Sequence, residues 1–266
     1  MRIRTVLLAM LLALTVACSG GSSTSTNSVV SGAYEFVVTS NVTGSTTLVE
    51  ANLAANGNQS SATGPSQVQI LTLEKKNWYV NGVCPGGTPG QNSVSADVTR
   101  SNIALTFDQG GNSLPGQGVL AGTTITGNYS VTGSTCPDLI GEVNLGFPSG
   151  SDSGGFVGNQ VPELAGTFSG TLNLTTGTHD AALALTEGAN QTLTVSAQLN
   201  GPVDNGTFPL TGSAVGNIMF VSGPVNGTTL SLFGYFDRAG AYTGIPKSML
   251  VFDYDTLGEI GVLVSQ

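Results

Sequence analysis

Between Thr192 and Leu199 the side chains alternate without a fault. Leu193, Val195, Ala197 and Leu199 share one face, and Thr192, Thr194, Ser196 and Gln198 share the other. A two-residue period belongs to a pleated strand with one side in a core and one in water, and a helix cannot satisfy it. Thr167 to Leu174 repeats the pattern, with Phe168, Leu172 and Leu174 opposite Thr167, Ser169, Thr171 and Asn173, and Asn102 to Phe107 groups Ile103, Leu105 and Phe107. Two unlike faces mark strands half-buried in an antiparallel sheet. Turn signals recur about every 8–12 residues, the spacing of a sandwich or barrel. They are Asn56-Gly57, Asn81-Gly82, Gly110-Gly111, Glu187-Gly188, Asn205-Gly206 and Asn226-Gly227. Beyond the first 17 residues nothing sustains a helical period, so the expected fold class is all-β.

Composition agrees. With 38 Gly and only 9% charged residues in 266, the chain is poor material for a helical bundle. A mean hydropathy of +0.19 is too high for whole-chain disorder, which pairs low hydropathy with high charge. A formal charge of −9 argues against nucleic acid or an anionic membrane surface as a partner.

Three short signatures occur twice in the same order. Gly32-Ala33-Tyr34 pairs with Gly166-Thr167-Phe168, Gly122-Thr123-Thr124-Ile125 with Gly227-Thr228-Thr229-Leu230, and Gly141-Glu142-Val143 with Gly258-Glu259-Ile260. Shared order points to tandem duplication. The expected organisation is a leader over 1–17, a tether over 18–31, a first β domain over 32–147, a linker over 148–165 rich in Gly, Ser and Asn, and a second β domain over 166–266. Each domain is expected to be an antiparallel meander of roughly eight strands, closed as a barrel or stacked as a sandwich.

The leader is short. Arg2 and Arg4 precede an apolar run from Val6 to Val16, which is too short to span a bilayer. Leu14-Thr15-Val16-Ala17-Cys18 resembles the bacterial lipobox, with Thr15 where that family prefers Leu. The resemblance implies cleavage before Cys18, acylation of that residue with palmitate-type chains, and, because Ser19 follows rather than Asp, retention in the outer membrane. Ser19 to Ser28 is a polar tether. Loss of Arg2 and Arg4 leaves five basic residues against 16 acidic ones, a formal charge of −11. The Gly166-Thr167-Phe168-Ser169-Gly170-Thr171-Leu172 opening, with the later Gly227-Thr228-Thr229-Leu230, resembles small β-barrel repeats of uncharacterised lipoproteins from environmental bacteria such as acidobacteria. That resemblance implies no activity. In an exported, oxidising setting Cys84 and Cys136 are expected to form a disulfide, since neither belongs to a CxxC pair.

Groups able to do chemistry are scarce. Asp152-Ser153-Gly154-Gly155 matches the string around a chymotrypsin-like nucleophile, but the one histidine, His179, follows it where that family's base precedes it. His179 is expected in a solvated turn. Asp253, Asp255 and Glu259 form the densest acidic group. They could work as an acid–base pair on a glycoside or as calcium ligands, although the EF-hand pattern fails at Leu257 and Val264. A solvated hairpin tip is the plainer expectation. Trp78 and Tyr79 face opposite sides of one strand, so one of them could stack on a sugar. No cofactor motif is present. The sequence therefore predicts a non-enzymatic, lipid-anchored envelope protein, attached to the membrane by its lipid and able to bind a glycan or an envelope protein. The alternatives are a lipocalin-like carrier of an apolar ligand and a glycoside hydrolase using the acidic pair.

Overall fold

A computed structural model describes residues 30–42, 44, 46–55, 61–72, 77–80, 92–109, 112–132, 151–254 and 258–266. Cys18, Cys84, Cys136 and Asp255, with the leader and the third signature of the front copy, lie outside the described residues. Trp78 and Tyr79 are described in backbone only.

The described residues form seventeen strands and no α-helix. The first nine are β1 (Gly32–Ser40), β2 (Thr46–Ala55), β3 (Ser61–Thr72), β4 (Asn77–Val80), β5 (Asn92–Thr99), β6 (Asn102–Gln109), β7 (Asn112–Ala121), β8 (Thr124–Thr132) and β9 (Ser151–Val161). Eight more follow: β10 (Gly166–Leu174), β11 (Gly177–Glu187), β12 (Thr192–Asn200), β13 (Asn205–Val215), β14 (Ile218–Val225), β15 (Thr228–Asp237), β16 (Ser248–Asp253) and β17 (Glu259–Ser265). One 3-10 turn, Ala189–Gln191, joins β11 to β12.

Strands β10 to β17 close in sequence order into an eight-stranded antiparallel barrel, with β17 returning to β10. The first sheet runs β2-β1-β9-β8-β7-β6-β5-β3-β4, and a further β2–β3 pairing brings its ends together, so it is nearly closed. Strand β4 hangs on β3, where Trp78 and Tyr79 pair with Leu71 and Ile70. The architecture is thus all-β and tandem, as the alternation demands.

Among the described residues each ring holds a packed apolar core. Strand β12 buries every second residue, Leu193, Val195, Ala197 and Leu199, as its sequence predicts. These meet Phe168, Leu172, Leu183, Met219 and Phe236 in one apolar cluster, with the Phe168 and Phe236 rings edge to face at 5.1 Å. In the first ring Phe36 packs edge to face on Phe107 at 5.1 Å, with Ile103, Leu105 and Phe156 around them.

Three sequence expectations need correction. Residues 151–161, assigned to the linker, are β9, paired to both β1 and β8. Two of their three glycines are core positions: Gly154 and Gly158 point inward with Phe156, and a Cβ at Gly158 would run into the Phe36 ring. Glycine here makes room for an aromatic ring rather than loosening a connection. Only residues 162–165 connect the units, and Leu164 among them is fully buried in the second core. At the other end Val30, assigned to the tether, is buried in the first core.

The second correction concerns the repeat. Gly122-Thr123 and Asn226-Gly227 both form two-residue turns, β7–β8 and β14–β15, but β15 is the sixth strand of its barrel whereas β8 neighbours the last strand of its ring. The signature therefore encodes a hairpin, with left-handed backbone at Gly122 (φ 64°) and at Asn226 and Gly227 (φ 47° and 88°), and not an equivalent place in the ring. Third, Asn205-Gly206 opens β13, and the chain reverses just before it, where Gly201 N–H donates to the Asp204 carbonyl at 3.1 Å.

Candidate functional site

One group of ionisable side chains comes together between the two barrels. Strand β2 is buried on both sides: Val49, Ala51 and Leu53 face the first core, so Leu48, Glu50 and Asn52 face out, onto the second barrel. There β14, β15 and β16 present an apolar outer face, and Ile218, Phe233, Tyr235, Leu250 and Phe252 cluster with Leu48. This second apolar face is why these strands read as nearly continuous hydrophobic runs.

The polar centre of the joint is built around the β13–β14 turn, Gly216-Asn217. Asn52 reads its main chain twice, donating to the Ala214 carbonyl at 2.8 Å and accepting from Gly216 N–H at 3.1 Å. Asn217 N–H donates to Glu50 Oε2 at 2.9 Å, and its side-chain amide donates to Glu35 Oε2 at 2.9 Å. Tyr235 adds its hydroxyl to the same Glu35 oxygen at 2.7 Å. Arg238 donates to Asn217 Oδ1 at 2.6 Å and to the Pro162 carbonyl at 2.6 Å, with its guanidinium 4.5 Å from the centre of the Phe236 ring. Asp237 holds the following loop by accepting the N–H groups of Ala241, Tyr242 and Thr243, which brings Tyr242 edge-on to Tyr235 at 5.6 Å.

Glu35 and Glu50 are direct cross-strand partners, two carboxyl groups side by side. Glu50 is fully buried, and its Oε1 has no hydrogen-bond partner. Burial, then the Glu35 charge and a hydrogen bond with it, hold the Glu50 carboxyl well above its usual range; the Asn217 N–H and Arg238 oppose this less strongly. Glu50 therefore resists ionisation more than a solvated carboxyl does. The same surroundings push the Tyr235 hydroxyl far up, chiefly through burial and then through Glu35. Arg238 is lowered by burial against the pull of Glu50 and Glu35.

His179 corrects a further expectation. It is fully buried on β11, not solvated: Nδ1 lies 2.8 Å from the Gly177 carbonyl and Nε2 3.5 Å from Asp204 Oδ2. A Cβ at Gly201 would overlap the imidazole, so glycine there lets the ring in. Asp204 accepts from Thr176 at 2.5 Å and from Asn226 at 2.9 Å, and the Thr176 bond is the main reason its carboxyl is lowered. A lowered carboxyl contributes stability above its unfolded pKa, and that stability is lost as pH falls through the folded one. Thr176→Val is thus expected to move the acid-unfolding midpoint up by a few tenths of a pH unit, read by circular dichroism.

Ser153 lies on β9 of the first ring, whereas His179, the histidine weighed as its base, belongs to β11 of the second barrel. Asp253 ends β16 and Glu259 opens β17, with Asp253 N–H bonded to the Gly258 carbonyl at 3.0 Å. Among the described residues no three His, Cys, Asp or Glu side chains gather as a metal site.

The outer surfaces carry shallow grooves. One, of about 410 Å³, crosses β13, β14 and β15 beside Tyr254. Another, of about 550 Å³, lies on β1, β8 and β9 over Gly155, between Thr39 and Asn128. No family model matches the chain, and neither does any curated protein or solved structure.

Proposed function

We propose that this chain is a lipid-anchored protein of the bacterial cell envelope, held at the outer membrane through Cys18, and that it works as a non-enzymatic binding or surface-interaction module. The observation that carries the reading is the filling of both rings. With Phe36, Phe107 and Phe156 in one and Phe168, Leu183 and Phe236 in the other, the described residues pack both rings with side chains and leave the outer faces to a partner. The same packing weighs against the carrier alternative. The lipobox-like Leu14 to Cys18 and the polar segment after it support the anchor. The joint supports the module reading in another way, because its carboxyl groups, Asn217 and Arg238 are engaged in holding two barrels together.

Mass spectrometry of the detergent-extracted protein tests the anchor. The expected result is an N-terminal Cys18 peptide carrying acyl mass, with Cys84 and Cys136 linked in a non-reduced digest. A mature N-terminus without lipid would remove the anchor, and two free thiols would remove the disulfide. Co-sedimentation with an isolated envelope fraction, after delipidation by Cys18→Ser, tests the binding role. Material that stays wholly in the supernatant would count against it.

A further inference from the structure

We propose that the groove on the outer face of the second barrel binds a neutral glycan, with Thr211, Ser222 and Ser231 as its hydrogen-bonding row and Tyr254 as its stacking wall. The proposal rests on the binding-module reading and names its ligand class.

The row follows from register. Thr211 pairs with Ser222, and Ser222 pairs with Ser231, so three hydroxyls stand abreast on adjacent strands. Adjacent strands are about 4.8 Å apart, so the row advances by roughly the width of one sugar ring per strand. Each hydroxyl both donates and accepts, as sugar hydroxyls do. The next step along the row is Tyr254, whose N–H is bonded to the Ser231 carbonyl at 3.2 Å and whose side chain is 45% exposed.

Tyr254 is braced. Phe220 meets it edge to face at 6.1 Å and 83°, and Phe220 in turn leads through Phe233 at 5.1 Å to Phe252 at 5.5 Å, inside the joint. A ring held in this way presents its face to a ligand with little conformational freedom left to lose. Gly212 contributes bare main chain to the floor, and a Cβ there would run into the Phe220 carbonyl. Among the described residues no carboxylate or cationic side chain lines the groove, in a chain whose formal charge is −9. A charged ligand would lose hydration there without gaining a counter-charge. An uncharged molecule with hydroxyls on its rim and an apolar C–H face fits, and a pyranose chain has both.

The test titrates the full mature chain with chitotetraose, cellotetraose and maltotetraose, read by calorimetry and saturation-transfer NMR. Saturable binding of at least one is expected. Tyr254→Ala should weaken it about tenfold, and Ser222→Ala about threefold, both with unchanged melting, since each side chain lies on the solvent side of the sheet. Absence of saturable binding to all three glycans overturns the proposal. So does parent-like binding by Tyr254→Ala. If the chain still co-sediments with envelope material in either case, the groove assignment fails while the module reading stands; if it does not, both fail.

Discussion

Substituting valine for Gly216, in the buried β13–β14 turn, is expected to destabilise the chain by about 3 kcal/mol or more. Two costs add. The residue sits at φ 59°, in the left-handed region that a β-branched side chain resists. Its Cβ would also overlap Glu50 Oε2 and press on the Tyr34 carbonyl across the joint. Gly122 separates the two costs. It has nearly the same backbone, φ 64°, in another two-residue turn, but nothing lies within 4 Å of a Cβ built there. Gly122→Val should therefore lose only the backbone part, on the order of 1–2 kcal/mol. Urea titration of both variants reads the difference, and equal losses would show that the Gly216 turn does not depend on its seat against Glu50.

Glu50→Gln is expected to flatten the decline in stability with rising pH and to leave the variant more stable than the parent in mild alkali. The folded protein keeps the Glu50 proton at pH values where the unfolded chain has released it. Stability therefore falls as pH rises above the unfolded pKa, by about 1.4 kcal/mol per pH unit, until the folded group also ionises. Glutamine supplies the neutral, hydrogen-bonding shape without the titration. Melting temperatures from pH 4 to 9 give the test, with Asp204 contributing the opposite slope at the acid end. A parent curve that is level or rising across this range would show that Glu50 is charged in the fold.

The strand faces were legible because alternation is local. Leu193, Val195, Ala197 and Leu199 needed nothing but their own spacing to be placed in a core. The joint was not legible for the complementary reason. Glu35 and Glu50 stand on outward positions, where a carboxylate ordinarily meets water, and neither residue's neighbours in sequence mark it as buried. A hairpin centred near Val42 would have set them opposite each other, which is the one signal available in advance. That the outer face of β2 is covered at all depends on β13 to β16, more than 160 residues away in sequence for the Asn52–Ala214 bond. The linker misreading has the same origin. Glycine in a polar segment is ambiguous until the ring that fills its space is known, and for Gly158 that ring is Phe36.

By itself the sequence determined the all-β class, the inward face of the regular strands and the tandem plan, since each depends on residue spacing or on short-range turn chemistry. Tertiary structure alone decided that β9 completes the first ring, that Glu35 and Glu50 stand side by side against the second barrel, and that three hydroxyls line up beside Tyr254. Those outcomes depend on register between strands and on one barrel covering another, and a one-dimensional pattern carries no term for either.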